Sequence, residues 1–240
     1  MSDLPKHAKV VIIGAGIVGN SVAYHLAKLG WKDMVMIDKG PLPNPGGSTG
    51  HASNFIFPVD HSKVMTQLTL DSMAQYKELG VFRESGGIEL ARKPERMEEL
   101  KRRKASAKAW GIEALLLSPD EVKKLFPWIN TDVIIGGFYS PTVGVVDSLR
   151  AGTMMRDAAK KMGALSVFTH TEITGVDVED GRVTGLQTAK GNISADYVII
   201  CCGVWSPKIA KMAGASMALT PIVHQMIDVG PISEFEHCIQ

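Results

Sequence analysis

A glycine-rich turn between an apolar run and a segment of helical spacing constrains this chain more than any other feature. Val10-Val11-Ile12-Ile13 is short, apolar and bounded by glycine, which suits a buried parallel strand. Gly14-Ala15-Gly16-Ile17-Val18-Gly19 follows, then apolar residues at Val18, Val22, Leu26 and Leu29, with Gly30 at the expected left-handed C-cap. A second apolar run, Met34 to Ile37, ends at Asp38. The pattern reads as strand, tight turn, helix, strand. Gly14 allows the sharp turn, Gly16 lets backbone approach a pyrophosphate, and Gly19 lets helix and strand pack closely. The helix start at Ile17 and Val18 offers amide N–H groups and a positive dipole end to an anion. Asp38 stands 19 residues after Gly19, where a strand-end carboxylate takes ribose hydroxyls. The alternative is an ordinary βαβ unit with a glycine-rich turn, which leaves three glycines and a terminal acid without a reason.

The 240 residues, 45% of them hydrophobic, suffice for one large domain or two interleaved ones. A net charge of +1 argues against nucleic acid as the main partner. The basic run Lys101 to Lys104 is interspersed with Glu95, Glu98 and Glu99 and reads as a solvated helix face. Cys201, Cys202 and Cys238 have neither metal-ligand nor disulfide spacing, and no metal is expected. No apolar run is long enough for a bilayer, and Met1 to Lys9 lacks the marks of a signal or transit peptide, so cytoplasm is the expected compartment.

After Asp38 and Lys39, prolines and glycines rule out a regular element until about residue 48. This long loop would deliver Ser48, Thr49 and His51 back toward a nucleotide, as a cofactor larger than a nicotinamide dinucleotide requires. The opening fingerprint, the Asp38-Lys39 end and the run Gly46 to Ala52 resemble the FAD-dependent amine oxidoreductases of the D-amino-acid oxidase superfamily, in particular the dimethylglycine/sarcosine dehydrogenase branch. The resemblance covers essentially the whole chain. It implies an α/β fold in which a Rossmann-like FAD-binding domain of the glutathione-reductase type (residues 1–84 and 147–219) is interleaved with part of an α+β substrate domain (residues 85–146 and 220–240).

Further along, helical patterns cover residues 62–79, with Val64, Leu68, Met73 and Leu79 on apolar positions, then Pro94 to Trp110 and Leu149 to Met162. Ser118, Pro119 and Glu121 spell a capping box for a helix that ends near Phe126-Pro127. Strands are expected at 86–91 and 165–168, and two short ones between Val133 and Val146 with turns at Gly136-Gly137 and Ser140-Pro141. Residues 173–194 alternate as an antiparallel meander, a buried strand follows from Ala195, Ser206 is the expected cap of a last helix, and Leu219 to Val229 opens a new strand.

By the same resemblance, the FAD-binding set is Gly14, Gly16, Ile17, Val18, Gly19, Asp38, Lys39, Ser48, Thr49, Gly50, His51, Phe55, Ile173, Gly203 and Trp205. Cys202 stands where family members commonly have alanine and reads as a packing change. His51 matches the histidine joined covalently to the flavin 8α carbon; the plainer reading is a loop histidine beside a non-covalent flavin. His224 matches an active-site histidine that accepts the amine's proton; the plainer reading is a strand histidine bonded to a carbonyl. The activity implied is oxidation of a small N-methylated amine by hydride transfer to FAD, with oxygen or an electron-transfer flavoprotein as acceptor. Members of the family run well beyond 240 residues, so the chain looks like an N-terminal fragment, with tetrahydrofolate expected only in a further domain. Two rivals stand: oxidation of another amine, a D-amino acid or glycerol phosphate, or a truncated flavoprotein serving as a binding module.

Overall fold

The computed structural model describes residues 4–223, 225, 230, 232 and 233. β1 (His7–Ile13), α1 (Ile17–Lys28) and β2 (Met34–Ile37) form the opening βαβ unit. Val11 and Ile13 of β1, with Val35 and Ile37 of β2, enter one core cluster, while Val10, Ile12, Met34 and Met36 enter another. Alternation along two strands covered on both faces produces this split. α1 ends as its glycine requires. Gly30 has φ +85°, its N–H donates to Ala27 O, and Trp31 N–H donates to Leu26 O, which together make a Schellman cap. The buried stripe of α1 is Gly19, Asn20, Ala23 and Ala27. The expected apolar stripe is only partly covered: Val18 is 59% exposed, at the mouth of a crevice, and Leu29 is exposed beside the cap. Small residues are buried because the helix lies close to a strand and to a second helix.

The chain continues through β3 (Phe55–Ile56), α2 (Lys63–Glu78), β4 (Phe82–Glu84), β5 (Gly87–Ala91), α3 (Pro94–Ala109), β6 (Leu115–Leu117), α4 (Pro119–Leu125), β7 (Gly136–Ser140) and β8 (Gly144–Val146). β3, β8 and β4 form one three-stranded sheet, and β5, β7 and β6 another. α4 carries its capping box, with Ser118 accepting from Glu121 N–H and the Glu121 carboxylate accepting from Ser118 N–H. α5 (Ser148–Lys161), capped by the Asp147 carboxylate on Arg150 N–H, packs on α1, where Gly152 meets the Asn20 side chain. β9 (Leu165–Phe168), β10 (Ile173–Glu179), β11 (Arg182–Thr188), β12 (Gly191–Ile200) and α6 (Ser206–Met212) complete the described elements.

The main sheet has the order β10-β11-β12-β1-β2-β9. β12 replaces the two strands expected there. Gly191–Ser194 pairs antiparallel with β11, and Ser194–Ile200 pairs parallel with β1. The meander and the parallel layer are thus one continuous sheet. Asp180 and Gly181, both at positive φ, close the β10–β11 hairpin.

Several expectations change. Gly136 and Gly137 lie inside β7, not in a turn: a Cβ would stand 2.9 Å from Leu117 O at Gly136 and 3.1 Å from Ile88 and Val122 methyls at Gly137. The glycines therefore answer close packing against β5, β6 and α4. Val64 and Leu68 are 65% and 57% exposed, because the buried side of α2 is set by Thr66 and Met73. β4 and β6, three residues each, are too short for a periodic signal. Ser206 is the first residue of α6 with no cap bond, since a 3-10 turn at Gly203–Trp205 leads directly into the helix. Residues 219–223 form no strand; His224 and residues 226–229 lie outside the described residues.

Candidate functional site

A cavity of about 550 Å³ opens at the carboxyl ends of β1, β2 and β12, over the start of α1, within the range of cofactor pockets. Gly14, Gly16, Ile17, Val18, Asp38, Lys39, Ser48, Thr49, Ile173, Gly203 and Trp205 border it. Gly19, Gly50, His51 and Phe55 do not, although Thr49 and Ala52 on either side of Gly50 and His51 do.

The three glycines have separate tasks. A Cβ on Gly14 (φ +108°) would stand 2.5 Å from Cys201 O, and one on Gly19 would stand 1.9 Å from Gly14 O. Both positions exist because strand, turn and helix touch there through backbone alone. A Cβ on Gly16 would meet only the Thr49 hydroxyl, at 3.2 Å, so this glycine keeps the helix start open. The Gly16 N-cap has no side-chain bond, and no acid stands in the first turn of α1. Thr49 Oγ1 accepts from Ile17 N–H at 2.9 Å, while the next N–H groups, of Val18 and Gly19, have no intrahelical acceptor. This helix end is electrostatically suited to a diphosphate.

Asp38 is fixed by two backbone donors: Ala15 N–H to Oδ2 and Gly40 N–H to Oδ1, each 2.7 Å. Each oxygen keeps a second lone pair, so the carboxylate can still accept from a ribose. The loop after β2 forms no regular element until a 3-10 turn at Ser48–Gly50. It is tied to α5 by Ser148 Oγ, which donates to Thr49 O at 2.7 Å.

Two contacts span the cavity's margins. Lys39 Nζ lies 4.0 Å from the Trp205 ring centroid, a cation–π contact joining the loop after β2 to the turn after β12. Lys208 and Glu172 form an exposed ion pair at 3.5 Å. Inside, the half-buried Tyr76 phenol has its pKa raised by burial, so it is a neutral donor at physiological pH. Burial pushes the Cys201 thiol up to about 11, with Cys202 adding to the shift, which leaves Cys201 a poor nucleophile. Cys202 packs against the core cluster on the β10 side, in keeping with a packing role. The sequence reading missed Tyr76 because its helix lies far from the fingerprint in sequence. Cys201 and Cys202 carried a signal, since they end the strand beside β1.

His51 is exposed, with Nδ1 2.9 Å from Gly47 O. A carbonyl only accepts, so Nδ1 is the donor in this contact, and Nε2 is the ring nitrogen not engaged with Gly47. His224 lies outside the described residues. Among the described residues, no group of three or more His, Cys, Asp or Glu could hold a metal ion, and no helix is long and apolar enough to cross a membrane.

The acid-free helix start, the open Gly16 cradle and the oriented Asp38 fit the diphosphate and ribose of FAD. The chain is 34% identical to the mouse mitochondrial pyruvate dehydrogenase phosphatase regulatory subunit over 210 residues, covering 85% of this chain and 24% of that protein. It is 32% identical to human mitochondrial sarcosine dehydrogenase over 237 residues, covering 93% and 26%. It therefore spans about a quarter of the length of these relatives. Among solved structures, L-proline dehydrogenase from P. horikoshii superposes with a TM-score of 0.81 at 28% identity, over 88% of this chain and 57% of that one. The profile of the FAD dependent oxidoreductase (DAO) family matches residues 9–239, and the chain belongs to that family.

Proposed function

We propose that this chain supplies the FAD-binding part of a flavoenzyme that oxidises the C–N bond of a small N-methylated amino acid of the dimethylglycine or sarcosine type. The observation that carries the reading is the crevice itself: an acid-free helix start, whose Val18 and Gly19 N–H groups have no intrahelical acceptor, beside a carboxylate already oriented by Ala15 and Gly40. When bound, FAD supplies the hydride acceptor. The chain's own part is to hold it. α1 takes the diphosphate, Asp38 the ribose, and the Ile173 backbone the adenine. The loop at Ser48–Gly50 closes on the diphosphate from the other side.

Residues 1–84 and 147–219 hold the cofactor in this reading, and residues 85–146 and 220–240 are part of the substrate domain. His224 accepts the ammonium proton, so that the neutral amine can give up hydride. Oxygen or an electron-transfer flavoprotein takes the electrons, and tetrahydrofolate belongs to a further domain if one exists. Similarity to sarcosine dehydrogenase supports the substrate class.

His51 would hold the flavin covalently at its 8α carbon, through Nε2, since Nδ1 is engaged with Gly47 O. Such a link would fix the flavin ring and raise its potential, with His51 as its attachment on the protein. Flavin colour is expected to stay with the polypeptide after acid precipitation and to be washed out of a His51→Ala variant. Complete release from the unsubstituted protein would rule the link out.

The reading as a whole is tested by the visible spectrum. Purified protein should show flavin bands with FAD, and these should bleach anaerobically on addition of dimethylglycine or sarcosine. In the complete protein, His224→Ala should lower kcat/KM and alter its pH profile. Absence of flavin bands at saturating FAD would sink the proposal. A second reading, a flavoprotein module that binds a partner and turns nothing over, is favoured by the 34% identity to a phosphatase regulatory subunit. It predicts flavin bands that no amine bleaches.

A further inference from the structure

Behind the glycine turn lies a polar side chain to which the opening motif gives no task. Asn20, on the buried stripe of α1, is only 3% exposed. Its Nδ2 donates to Ala15 O at 2.8 Å. A carbonyl only accepts, so it is the NH₂ end of the amide that faces Ala15. Asn20 Oδ1 is buried and has no hydrogen-bond partner among the described residues. An orphaned buried acceptor costs at least what one hydrogen bond returns, so what this amide contributes is direction rather than stability.

The direction matters because the peptide between Ala15 and Gly16 is trans, and the C=O and N–H of a trans peptide point opposite ways. Drawing Ala15 O toward Asn20 turns Gly16 N–H the other way, toward the crevice that Gly16 borders. The neighbouring turn amides are already engaged. Gly14 N–H donates to Ile37 O at 2.8 Å, Ala15 N–H to Asp38 Oδ2 at 2.7 Å, and Ile17 N–H to Thr49 Oγ1 at 2.9 Å. Gly16 N–H has no acceptor among the described residues.

Room for the amide comes from α5. A Cβ on Gly152 would stand 2.8 Å from Asn20 Nδ2, 3.6 Å from its Cγ and 3.8 Å from its Cβ. The close approach is to the tip of a side chain, which can swing aside, and not to backbone. A methyl at Gly152 would therefore displace the amide without separating the two helices. We infer that Asn20 and Gly152 are a pair of positioning residues: Gly152 leaves the space in which the Asn20 amide holds Ala15 O, and that bond aims Gly16 N–H at the cofactor's diphosphate. The place of the diphosphate rests on the flavin reading above; the pair behind the turn is what aims the donor.

The test uses the purified chain with FAD, ADP and adenosine as calorimetric probes, and NMR of the Ala15 carbonyl and Gly16 amide. ADP carries the diphosphate and adenosine does not, so the ratio of their affinities isolates this contact. Asn20→Ala and Gly152→Ala should each weaken ADP and FAD roughly tenfold, the worth of one charge-assisted hydrogen bond, and leave adenosine unchanged. Gly152→Ala should do so with Tm unchanged or raised, since alanine suits a helix interior better than glycine. In the double variant the two losses should not add, because the methyl then has no amide to displace. Both resonances should shift in each single variant without any ligand. Wild-type ADP affinity in either single variant, equal losses for ADP and adenosine, or additive losses in the double variant would overturn the inference. If the unsubstituted chain bound neither FAD nor ADP, the flavin reading would fall, and the ligand-free resonances would still decide whether the pair sets the peptide's orientation: unmoved, they overturn it.

Discussion

Gly19→Ala is expected to destabilise the protein by about 3 kcal/mol and to abolish FAD binding, because an added methyl has nowhere to go. Its Cβ would stand 1.9 Å from the Gly14 carbonyl oxygen and 3.0 Å from the carbonyl carbon. Backbone on both sides must separate, which lifts the start of α1 off β1 and disperses the N–H groups that would meet a diphosphate. Gly30→Ala is the fitting comparison. That glycine has a positive φ, which Gly19 does not, but open space surrounds its missing side chain, so the cost is only the left-handed backbone, about 1 kcal/mol. Urea unfolding and flavin titration of the two variants decide the matter. Equal losses in both would show that close approach at Gly19 is not what the position is for.

The second large effect is expected at Asp38. Alanine there removes the acceptor for two backbone N–H groups, and the one on Ala15 belongs to a residue only 1% exposed. Leaving a buried donor unsatisfied costs about 1–3 kcal/mol, and losing a charged acceptor for the ribose lowers FAD affinity by roughly a hundredfold. Asparagine is not a mild substitute, since its one carbonyl oxygen cannot accept from both amides while its NH₂ faces a donor. Fluorescence titration with FAD gives the affinity, and thermal unfolding without FAD gives the stability. If affinity stayed within about threefold in a folded Asp38→Ala protein, the ribose assignment would fail.

These two positions differ in how far sequence alone could take them. The spacing from glycines to acid marks Asp38 as a candidate ligand for a sugar. Its other duty, ordering the turn through Ala15 and Gly40, shows only when strand ends are brought side by side. Likewise the Lys39–Trp205 contact joins residues from opposite ends of the chain, and no local pattern pairs them. Tyr76 reaches the crevice because α2 folds back across it.

What the amino-acid sequence determined by itself is whatever is decided within a few residues. The bounds of β2 and β9, the capping box at Ser118 and Glu121, the Asp147 cap, the left-handed Gly30 and the Asp180-Gly181 hairpin all follow from side chains satisfying neighbouring backbone groups or from a φ that glycine alone adopts freely. Tertiary structure decided which surfaces are covered. Val64 and Leu68 are apolar yet exposed, Gly136 and Gly137 sit in a strand instead of a turn, and β12 runs unbroken from an antiparallel neighbour to a parallel one. The reason is physical: a cap or a turn needs only its own stretch of chain, whereas burial, strand partners and the walls of a cavity are supplied by other elements of the fold.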